Sequence, residues 1–523
     1  MNGYIDAMQA DLPEVISGNI CIVGAGAAGI TLARKLAETV SGVILIESGG
    51  FDISGQTQSL FQGRHLGLKY FDLMSCRLRY FGGTTNHWSG FCRENDQIDY
   101  VGRPALGLPA WPITRQDLSS YIVEAGRSLG IEPSAFNPDI VLKSLGENPE
   151  QLVEHGSSSL HLQTKVFQLA QDIRLGTKYR EQVGQSPNIT AYLNLNLIHI
   201  QLAADARSVK HLKCATLTGK QCRVEARQYV LCCHGIENAR QLLASNDVMP
   251  TGVGNSYDHV GRYFMEHAAI SASKFIPTSK FPKIYNFHYA RSKKINANLS
   301  FTDDYLHKHN LLQYYCRFTP HYVTDEMLSA KDDVIHGFWK PGSLAYLADV
   351  AKVASEFDGE LRRVFFKRGL YSQPLYYSLE HRIEQAPNPK SRVVLSDRID
   401  ALGQRIADLD WQINEHDVAT IKHGQTAIAR EMAALGFGRL EEEEITRELV
   451  ESRIKGHYHH IGTTRMSADP KQGVVDKNCT VHGIGNLHIS GSSVFPTAGY
   501  SGPTMMIIAL ALRQAEYLKT RLI

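Results

Sequence analysis

Histidine side chains are concentrated near the carboxyl end of this chain, where His457, His459 and His460 fall within four residues. A free imidazole has a pKa of about 6.5, so a neutral histidine suits a general base that takes a proton around neutrality. Three neighbouring histidines could also hold a metal ion. Because no cysteine or carboxylate nearby completes a convincing ligand set, the sequence predicts no metal site here.

A glycine-rich turn near the amino end has the spacing of a dinucleotide-binding site. The sequence GAGAAG at residues 24–29 follows a short apolar run and precedes a predicted helix over residues 30–38. In such a unit Gly24 makes the turn, Gly26 lets the backbone approach a pyrophosphate, and Gly29 lets the helix pack against the strand. The pyrophosphate would lie on the unpaired N–H groups of the helix N-terminus.

A carboxylate at the end of the next predicted strand completes the pattern. The apolar run 43–46 leads into Glu47, eighteen residues beyond Gly29. A carboxylate at this place accepts hydrogen bonds from both hydroxyls of a ribose and repels a 2′-phosphate. Since a bare strand-to-helix turn would not explain Glu47, we predict a βαβ unit that binds a dinucleotide.

Length, charge and cysteine content restrict the class of protein. A chain of 523 residues can form two or three domains, and a net charge of +2 predicts neither a nucleic-acid nor an acidic partner. Residues 1–17 have no apolar core, so no secretory signal is predicted, and the longest apolar run, 503–512, is too short to span a membrane. Nine scattered cysteines without a CxxC motif predict reduced thiols and a cytoplasmic location, and membrane association is not expected.

Two further motifs resemble segments of one enzyme family. RLRYFGGTTNHWSGFC at residues 77–92, taken with the glycine turn, resembles the flavin loop of the glucose-methanol-choline (GMC) oxidoreductases. From residue 456 onwards, GHYHHIGTTRM, GVVD and SVFPT resemble the C-terminal signature of the same family, nearer its pyranose- and sugar-oxidising bacterial branch. These enzymes bind FAD and oxidise alcohols, and the resemblance implies both properties for this chain.

The resemblance also implies a fold and a domain organisation. The fold would be α/β, with a Rossmann-type FAD-binding domain and an inserted substrate domain of antiparallel sheet and helices. The FAD-binding domain would comprise residues 1–97, 189–259 and 455–523. The substrate domain would comprise residues 98–188 and 260–454.

Periodicity and capping signals predict the remaining elements. The predicted strands are 189–202, 229–233, 268–275, 285–289, 375–384 and 391–395, of which the last four would form the antiparallel sheet. The predicted helices are 116–129 after a Thr114 cap, 234–245, 417–436 and the final apolar helix from Pro503. Residues 326–369 predict a helix pair that caps the pocket, with a basic end on a membrane or partner as the alternative.

The glycine turn and the resemblance together imply the residues that contact FAD. Leu197 would face the adenine, although a core leucine explains that position equally well. Pro503 and Thr504 would begin the final helix, with its positive end at the flavin edge where negative charge appears on reduction. The predicted FAD contacts are Gly24, Gly26, Ala27, Ala28, Gly29, Glu47, Ser48, Gly83, Thr84, Asn86, His87, Trp88, Ser89, Leu197, Gly491, Pro503 and Thr504.

His87 has a second interpretation through the resemblance. It stands five residues after Gly82, the offset at which a histidine in the sugar- and choline-oxidising branches is bonded covalently to the flavin methyl. Such a bond would raise the flavin potential and retain the cofactor. A histidine that only packs or hydrogen-bonds near the ring would fit the same position, so both interpretations stay open.

The family's catalytic histidine precedes a Gly-Thr pair by three residues, which implies that His459 is the base in this chain. It would take the proton of a hydroxyl group while the carbon hydride passes to flavin N5. His460 would support the same segment from its other side. The expected substrate is a sugar, glycoside, polyol or large secondary alcohol, and the expected electron acceptor is oxygen, a quinone or a redox protein.

Gly502 departs from the family pattern, which has His or Asn at this place. A glycine has no side chain to bind the substrate oxygen, and losing one such donor costs on the order of 100-fold to 1,000-fold in turnover. Ser501, Tyr500 or His460 could supply the bond, a bulky substrate could fill the space, or the reaction could differ from alcohol oxidation. A non-redox lyase or cyclase is therefore one rival hypothesis. The other is a dehydrogenase subunit that passes electrons to a cytochrome or membrane partner, which the basic stretch after Leu361 suggests.

Overall fold

The computed structural model describes residues 3–131, 136–155, 161–322 and 374–522. The strands are β1 Tyr4–Asp6, β2 Val15–Val23, β3 Val43–Ile46, β4 Phe91–Cys92, β5 Leu162–Leu169, β6 Ile189–Leu193, β7 Asn196–Leu202, β8 Val209–Ala215, β9 Gln221–Leu231, β10 His267–Pro277, β11 Ile295–Phe301, β12 Tyr314–His321, β13 Tyr376–Glu384, β14 Arg392–Ile399, β15 Arg405–Asp410, β16 Gly438–Glu441 and β17 Leu487–Ile489. The helices are α1 Ala27–Leu36, α2 Gly55–Ser59, α3 Gln97–Tyr100, α4 Arg115–Ser128, α5 Pro138–Ser144, α6 Leu175–Gln185, α7 Gly235–Ala244, α8 Phe287–Ser292, α9 Asp303–His309, α10 Glu415–Ala434, α11 Arg447–Arg453 and α12 Thr504–Leu522.

The amino-terminal βαβ unit forms the centre of an eight-stranded sheet. Its strand order is β1-β6-β3-β2-β9-β8-β7, with β17 also paired to β9. β2 lies parallel to β3 on one side and to β9 on the other. A parallel neighbour requires a crossover, which α1 provides. All four residues of β3 are buried, as expected for a parallel strand covered on both faces.

Helices cover the outside of this sheet near the glycine turn. α1 packs against α6 and α12, and α12 also packs against α4. Seven of the eight residues in 505–512 are buried, which confirms the prediction of a buried final helix. α4 and α6 come from the 98–188 segment, which was predicted for the substrate domain, and both lie here against the nucleotide-side helices.

The second large sheet is antiparallel and has seven strands. Its order is β16-β10-β13-β12-β11-β5-β4. α10 packs against β13 and β12. The first residue of β10, His267, is paired with the last residue of β13, Glu384. This register brings the beginning of β10 to the edge of the sheet that faces the carboxyl-terminal segment, where Ala269 forms a bridge with Lys455.

Capping residues account for the two helices that the sequence located best. The Thr114 side chain accepts from Asp117 N at 3.2 Å, and the Asp117 carboxylate accepts from Thr114 N at 2.8 Å. Asn414 and Asp417 form the same reciprocal capping box at the start of α10. Each box satisfies backbone N–H groups that the first helical turn leaves unpaired, so both helices begin within two residues of the prediction.

Three strand predictions were wrong, in whole or in part. Residues 285–289 form the end of a 3₁₀ turn and the start of α8, because the Asn286 side chain accepts from two backbone N–H groups and caps a helix. The predicted strand 189–202 is two strands, since Asn194 has a φ of 58° and turns the chain. Residues 392–395 form a strand as predicted, within β14, but β14 pairs with β15 in a two-stranded sheet and not in the large antiparallel one.

Two predictions concern membranes and thiols. No helix in the described ranges is long and apolar enough to cross a membrane. All nine cysteines are free, as predicted from their spacing. The predicted helix pair at 326–369 lies outside the described residues.

Candidate active site

One cavity of about 1200 Å³ connects the amino-terminal glycine turn with the carboxyl-terminal histidines. This volume exceeds that of a typical small-molecule pocket and suits an extended ligand. His459 lines the cavity. The predicted FAD contacts in its wall are Gly24, Gly26, Ala27, Ala28, Glu47, Ser48, Gly83, Thr84, His87, Trp88, Ser89, Leu197, Gly491, Pro503 and Thr504. The other two predicted contacts, Gly29 and Asn86, do not line this cavity.

The glycine turn uses its three glycines in different ways. Gly24 has a φ of 101°, and a Cβ there would lie 2.6 Å from the carbonyl oxygen of Cys232. A Cβ on Gly29 would lie 1.8 Å from the carbonyl oxygen of Gly24, so Gly29 lets the first turn of α1 close onto the strand end. A Cβ on Gly26 would meet no atom within 4 Å, which leaves open space in the cavity wall.

Glu47 is fixed by the backbone around the turn. One carboxylate oxygen accepts from Ala25 N at 2.8 Å, and the other accepts from Gly49 N at 3.0 Å. The side chain is buried but still lines the cavity. Burial raises the pKa of Glu47, whereas the two N–H groups and Arg79 oppose that rise. The carboxylate is therefore held in one orientation beside the turn.

The loop at residues 82–89 packs directly against the glycine turn. Gly82 and Gly83 both have positive φ, at 99° and 52°. A Cβ on Gly83 would lie 3.2 Å from the Cα of Gly26, so two glycines are needed where these segments meet. Asn86 donates from its amide to the carbonyl of Phe81 at 2.9 Å and braces the loop from behind.

His87 and Trp88 follow Asn86 in the chain, and their side chains differ in solvent exposure. His87 is exposed and lies edge-on to Tyr80, with ring centroids 6.1 Å apart. The Trp88 indole N–H donates to the carbonyl of Ile173. The Trp88 side chain is thereby held in place, whereas the His87 ring is exposed in the cavity wall.

A buried carboxylate, Glu266, organises the histidine segment. Its oxygens accept from the backbone N–H groups of His457 and His459, both at 3.0 Å, and from His267 N at 3.1 Å. The hydroxyl of Tyr70 donates to the same carboxylate. Burial raises the pKa of Glu266 to about 7 despite these hydrogen bonds, which lower it. Glu266 thus fixes the backbone on both sides of Tyr458.

The side chain of His459 is held by a second histidine. His459 Nδ1 lies 2.7 Å from Nδ1 of His267, and Nε2 of His267 lies 3.1 Å from the carbonyl oxygen of Ala498. Burial lowers the pKa of His459 well below its usual value, and His267, His457 and Arg382 lower it further. The imidazole is therefore neutral around pH 7, as a base requires.

Sequence reasoning missed both His267 and Glu266. They lie 192 and 193 residues before His459, so no local spacing connects them with it. The available signal was an acid and a histidine placed immediately before the predicted strand 268–275, in the sequence MEHAAIS. Polar residues at a strand end are common, and only the sheet register brings these two to the histidine segment.

Gly502 lies in the cavity wall beside His459. A Cβ at this position would be 3.2 Å from the carbonyl oxygen of Phe91 and 4.0 Å from Cε1 of His459. A histidine or asparagine here would project next to the His459 imidazole. The glycine leaves that space to the cavity.

The three residues expected to compensate for Gly502 all have other partners. The Ser501 hydroxyl donates to the carbonyl of Glu94 at 3.1 Å, and the Tyr500 hydroxyl donates to a carboxylate oxygen of Asp96 at 2.5 Å. Both ring nitrogens of His460 are within hydrogen-bond distance of buried side chains, a tyrosine hydroxyl at 2.8 Å and a histidine at 3.2 Å. His460 is almost fully buried, in agreement with a supporting role.

Charged side chains form a polar wall across the cavity. Arg317 donates to a carboxylate oxygen of Glu380 at 2.6 Å, and Arg382 donates to the other oxygen of that carboxylate. Arg382 also donates to the hydroxyl of Tyr315 at 3.0 Å. Burial alone would raise the pKa of Glu380, but the two arginines lower it to about 2. In the described part of the chain, no group of three or more His, Cys, Asp and Glu residues could hold a metal ion.

Residues 387–511 match the family model of the GMC oxidoreductases. Its C-terminal domain is therefore that of a GMC oxidoreductase. The match includes His459, Gly491 and Gly502, and thus the histidine segment that closes the cavity. This GMC oxidoreductase is an FAD-dependent enzyme that oxidises an alcohol group, as the resemblance implied.

Relatives of this GMC oxidoreductase include dehydrogenases and oxidases. It is 23% identical over 484 residues to 2-methyl-1,2-propanediol dehydrogenase from Mycolicibacterium austroafricanum, covering 84% of this chain and 80% of the relative. It is 23% identical to C-glycoside 3-oxidase from Microbacterium trichothecenolyticum, covering 84% and 74%. It is 26% identical over 310 residues to the fructose dehydrogenase large subunit from Gluconobacter japonicus, covering 56% of this chain and 47% of the relative.

Solved structures share its fold over nearly the whole chain. Formate oxidase aligns with a TM-score of 0.57 at 15% identity, covering 98% of this chain and 99% of that one. Pyridoxine 4-oxidase from Mesorbium loti aligns with a TM-score of 0.54 at 17% identity, covering 96% and 99%. The α/β fold with a Rossmann-type FAD-binding sheet is therefore that of the GMC oxidoreductases.

Proposed function

We propose that this GMC oxidoreductase oxidises a CH–OH group of a sugar, glycoside or polyol, with His459 as the base. The observation that carries the proposal is the single cavity, which joins the dinucleotide turn to the His459 imidazole. A cofactor held at the turn could therefore extend to the histidine without leaving the protein.

The residues of the turn fit FAD. The open space at Gly26 leaves room for a pyrophosphate to approach the backbone, and Glu47 stands beside it to accept from a ribose. The loop Gly83–Asn86 lies against Gly26 and would follow the cofactor along the cavity. Leu197, Gly491 and the residues from Ala27 to Ala28 line the same wall.

Bound FAD would supply the hydride acceptor, its N5 atom. His459 would take the hydroxyl proton while the substrate C–H bond gives up its electron pair as hydride, and the alcohol would become a carbonyl. His459 can take that proton because its buried imidazole is neutral. Gly502 leaves the adjacent space to the substrate carbon skeleton.

The start of α12 supports the reduced state of the cofactor. Pro503 and Thr504 line the cavity where this helix of 19 residues begins. The positive end of a helix dipole favours negative charge within its first turn. We expect this end to stabilise the negative charge that FAD gains on reduction.

The polar wall favours a substrate with several hydroxyl groups. Arg317, Arg382 and Glu380 offer charged donors and acceptors, and charge-assisted hydrogen bonds are about twice as strong as neutral ones. A simple apolar alcohol, with one hydroxyl group, would use few of these hydrogen-bonding groups. The named relatives include a glycoside oxidase and a diol dehydrogenase, which agrees with this class and favours redox chemistry over a lyase or cyclase.

An anaerobic substrate screen tests the proposal. The FAD-loaded protein is mixed without oxygen with glucose, a C-glycoside, glycerol or 1-hexanol, and the visible absorbance of the flavin is followed. We expect bleaching by a sugar, glycoside or polyol. Bleaching by hexanol alone would contradict the substrate class, and no bleaching by any compound in an extended alcohol panel would contradict the reaction.

Admitting air to the bleached protein then identifies the acceptor. Rapid return of the yellow colour with hydrogen peroxide would indicate oxygen. Slow return, with fast reoxidation by a quinone or a cytochrome, would indicate a dehydrogenase. The fructose dehydrogenase subunit among the relatives is the reason to include a redox protein in this test.

The covalent interpretation of His87 is tested by acid denaturation. Its exposed ring in the cavity wall is accessible to a bound flavin. Flavin that stays with the precipitated protein, but is released from His87→Ala, would support the bond. Flavin that appears entirely in the supernatant would exclude it.

A pair of glycine variants separates cofactor binding from folding. Gly26→Ala adds a methyl group where no atom lies within 4 Å, so we expect a normally folded protein. Its methyl would enter the space for the pyrophosphate and weaken FAD binding about 10-fold to 100-fold, the equivalent of about 1–3 kcal/mol of overpacking. Gly29→Ala places a methyl 1.8 Å from a carbonyl oxygen and should destabilise the fold itself.

These two variants are compared by thermal unfolding of the apoprotein and by FAD titration. Gly26→Ala should keep the unfolding temperature of the wild-type apoprotein, whereas Gly29→Ala should lower it. Unchanged FAD affinity in Gly26→Ala would show that the pyrophosphate lies elsewhere.

A further inference from the structure

The two hydrogen-bond partners of His267 determine where its hydrogen lies. Nε2 of His267 faces the carbonyl oxygen of Ala498 at 3.1 Å. A carbonyl oxygen accepts and cannot donate, so Nε2 must carry the hydrogen. In a neutral imidazole the other nitrogen, Nδ1, is then a bare acceptor.

That acceptor determines the tautomer of His459. The two Nδ1 atoms are 2.7 Å apart, which requires one hydrogen between them. Since His267 has none to give at Nδ1, the hydrogen belongs to His459. The Nε2 atom of His459 is then without hydrogen in the neutral ring.

We infer that His267 is a positioning residue that holds His459 with hydrogen on Nδ1 and leaves Nε2 as the base. The inference rests on the proposed role of His459 and adds a residue to it. A carboxylate holds the catalytic histidine in the serine-protease triad, whereas a neutral imidazole does so here. No charge has to be buried beside the base for this purpose.

The surroundings of His267 keep its ring neutral. Burial, together with the nearby charge of Arg382, lowers the pKa of His267 to about 4, although the hydrogen bond to Ala498 raises it. Glu266 directs its oxygens to backbone N–H groups and to the Tyr70 hydroxyl, so its charge is occupied elsewhere. A protonated His267 would present hydrogen at Nδ1 and could not accept from His459.

His267 also orients His457, the histidine two residues before His459. The backbone oxygen of His267 lies 2.8 Å from Nδ1 of His457, which must donate to it. His267 therefore accepts from His459 through its side chain and from His457 through its carbonyl. The imidazoles of His457 and His459 are therefore both fixed by the first residue of β10.

Nitrogen NMR of the FAD-loaded protein tests the tautomers directly. The protein is labelled with 15N-histidine, and the His459 signals are assigned by their loss in His459→Gln. The hydrogen-bearing and bare nitrogens of an imidazole have well separated shifts. We expect hydrogen on Nδ1 of His459 and on Nε2 of His267; hydrogen on Nε2 of His459, or on both nitrogens of His267, would overturn the inference.

Two variants of similar shape test the consequence for catalysis. His267→Asn keeps an acceptor oxygen near the position of Nδ1, whereas His267→Leu has none, and both lose the bond to Ala498. With the substrate found in the screen, we expect anaerobic flavin reduction to fall about 10-fold or less in His267→Asn. It should fall on the order of 100-fold to 10,000-fold in His267→Leu, as when a catalytic histidine loses its tautomer.

A purely structural role for His267 would affect both variants alike, and equal rates would overturn the inference. FAD content and substrate KM are measured in each variant, since an orientation effect should appear in the reduction rate. If His267→Leu fails to fold, the NMR result on the wild-type protein still decides. The NMR result also stands apart from the proposed function, because it needs no substrate.

Discussion

Replacing His459 with alanine should abolish flavin reduction by the substrate while the protein stays yellow. The reason is geometric, since His459 lines the cavity and its imidazole is held by the side chain of His267. General base catalysis contributes about 100-fold to 10,000-fold, so we expect a loss in that range. The backbone at this position is held by Glu266 through its N–H group and does not depend on the side chain. FAD binding should therefore be retained.

His457→Ala is the matched control for this experiment. His457 lies two residues away, lines the same cavity and donates to the backbone of His267. We expect it to reduce the rate about 10-fold or less. The rates are measured by anaerobic stopped-flow absorbance with FAD content fixed. A larger loss in His457→Ala than in His459→Ala would mean that the neighbouring histidine is the base.

Replacing Glu266 with alanine should destabilise the protein more than any other single change at the site. Three backbone N–H groups that donate to this buried carboxylate, those of His267, His457 and His459, would lose their acceptor. Each buried donor left without a partner costs about 1–3 kcal/mol, so the total is a large part of the 5–15 kcal/mol that stabilises a domain. The segment of the base would also lose its fixed position, and flavin reduction should fall with stability.

Tyr70→Phe provides the comparison for Glu266→Ala. It removes the hydroxyl that donates to the carboxylate and that lies 2.8 Å from Nε2 of His460, and it leaves the three N–H groups paired. We expect a loss of about 1–3 kcal/mol, measured as the free energy of unfolding in denaturant. Equal losses in the two variants would show that the backbone N–H groups do not depend on Glu266. Gly456→Ala tests the same contact, because a Cβ added at this position would lie 2.8 Å from the Glu266 carboxylate.

The strongest sequence predictions concerned features that short segments build alone. The glycine turn, the helix cap at Thr114 and the buried final helix all depend on neighbours within a few residues. Such local signals act on the backbone directly, so composition and spacing reveal them. The predicted strand 285–289 was wrong for the same reason, since the local cap at Asn286 outweighed an alternating pattern.

The predicted residues came from separate ends of the chain, and the fold brought them into one cavity. Gly26, Glu47, Gly83 and His459 all line it. Resemblance to the GMC oxidoreductases supplied that set, since composition and spacing carry no distance between residue 26 and residue 459.

The sequence by itself determined the dinucleotide turn, the family signature and the histidine segment, because each is a continuous pattern. Only the tertiary structure decided how the base is held. His267 and Glu266 reach His459 through the register of β10, which is paired along its length with β13. Sheet register is set by contacts between segments more than 100 residues apart in sequence, so no local pattern contains it.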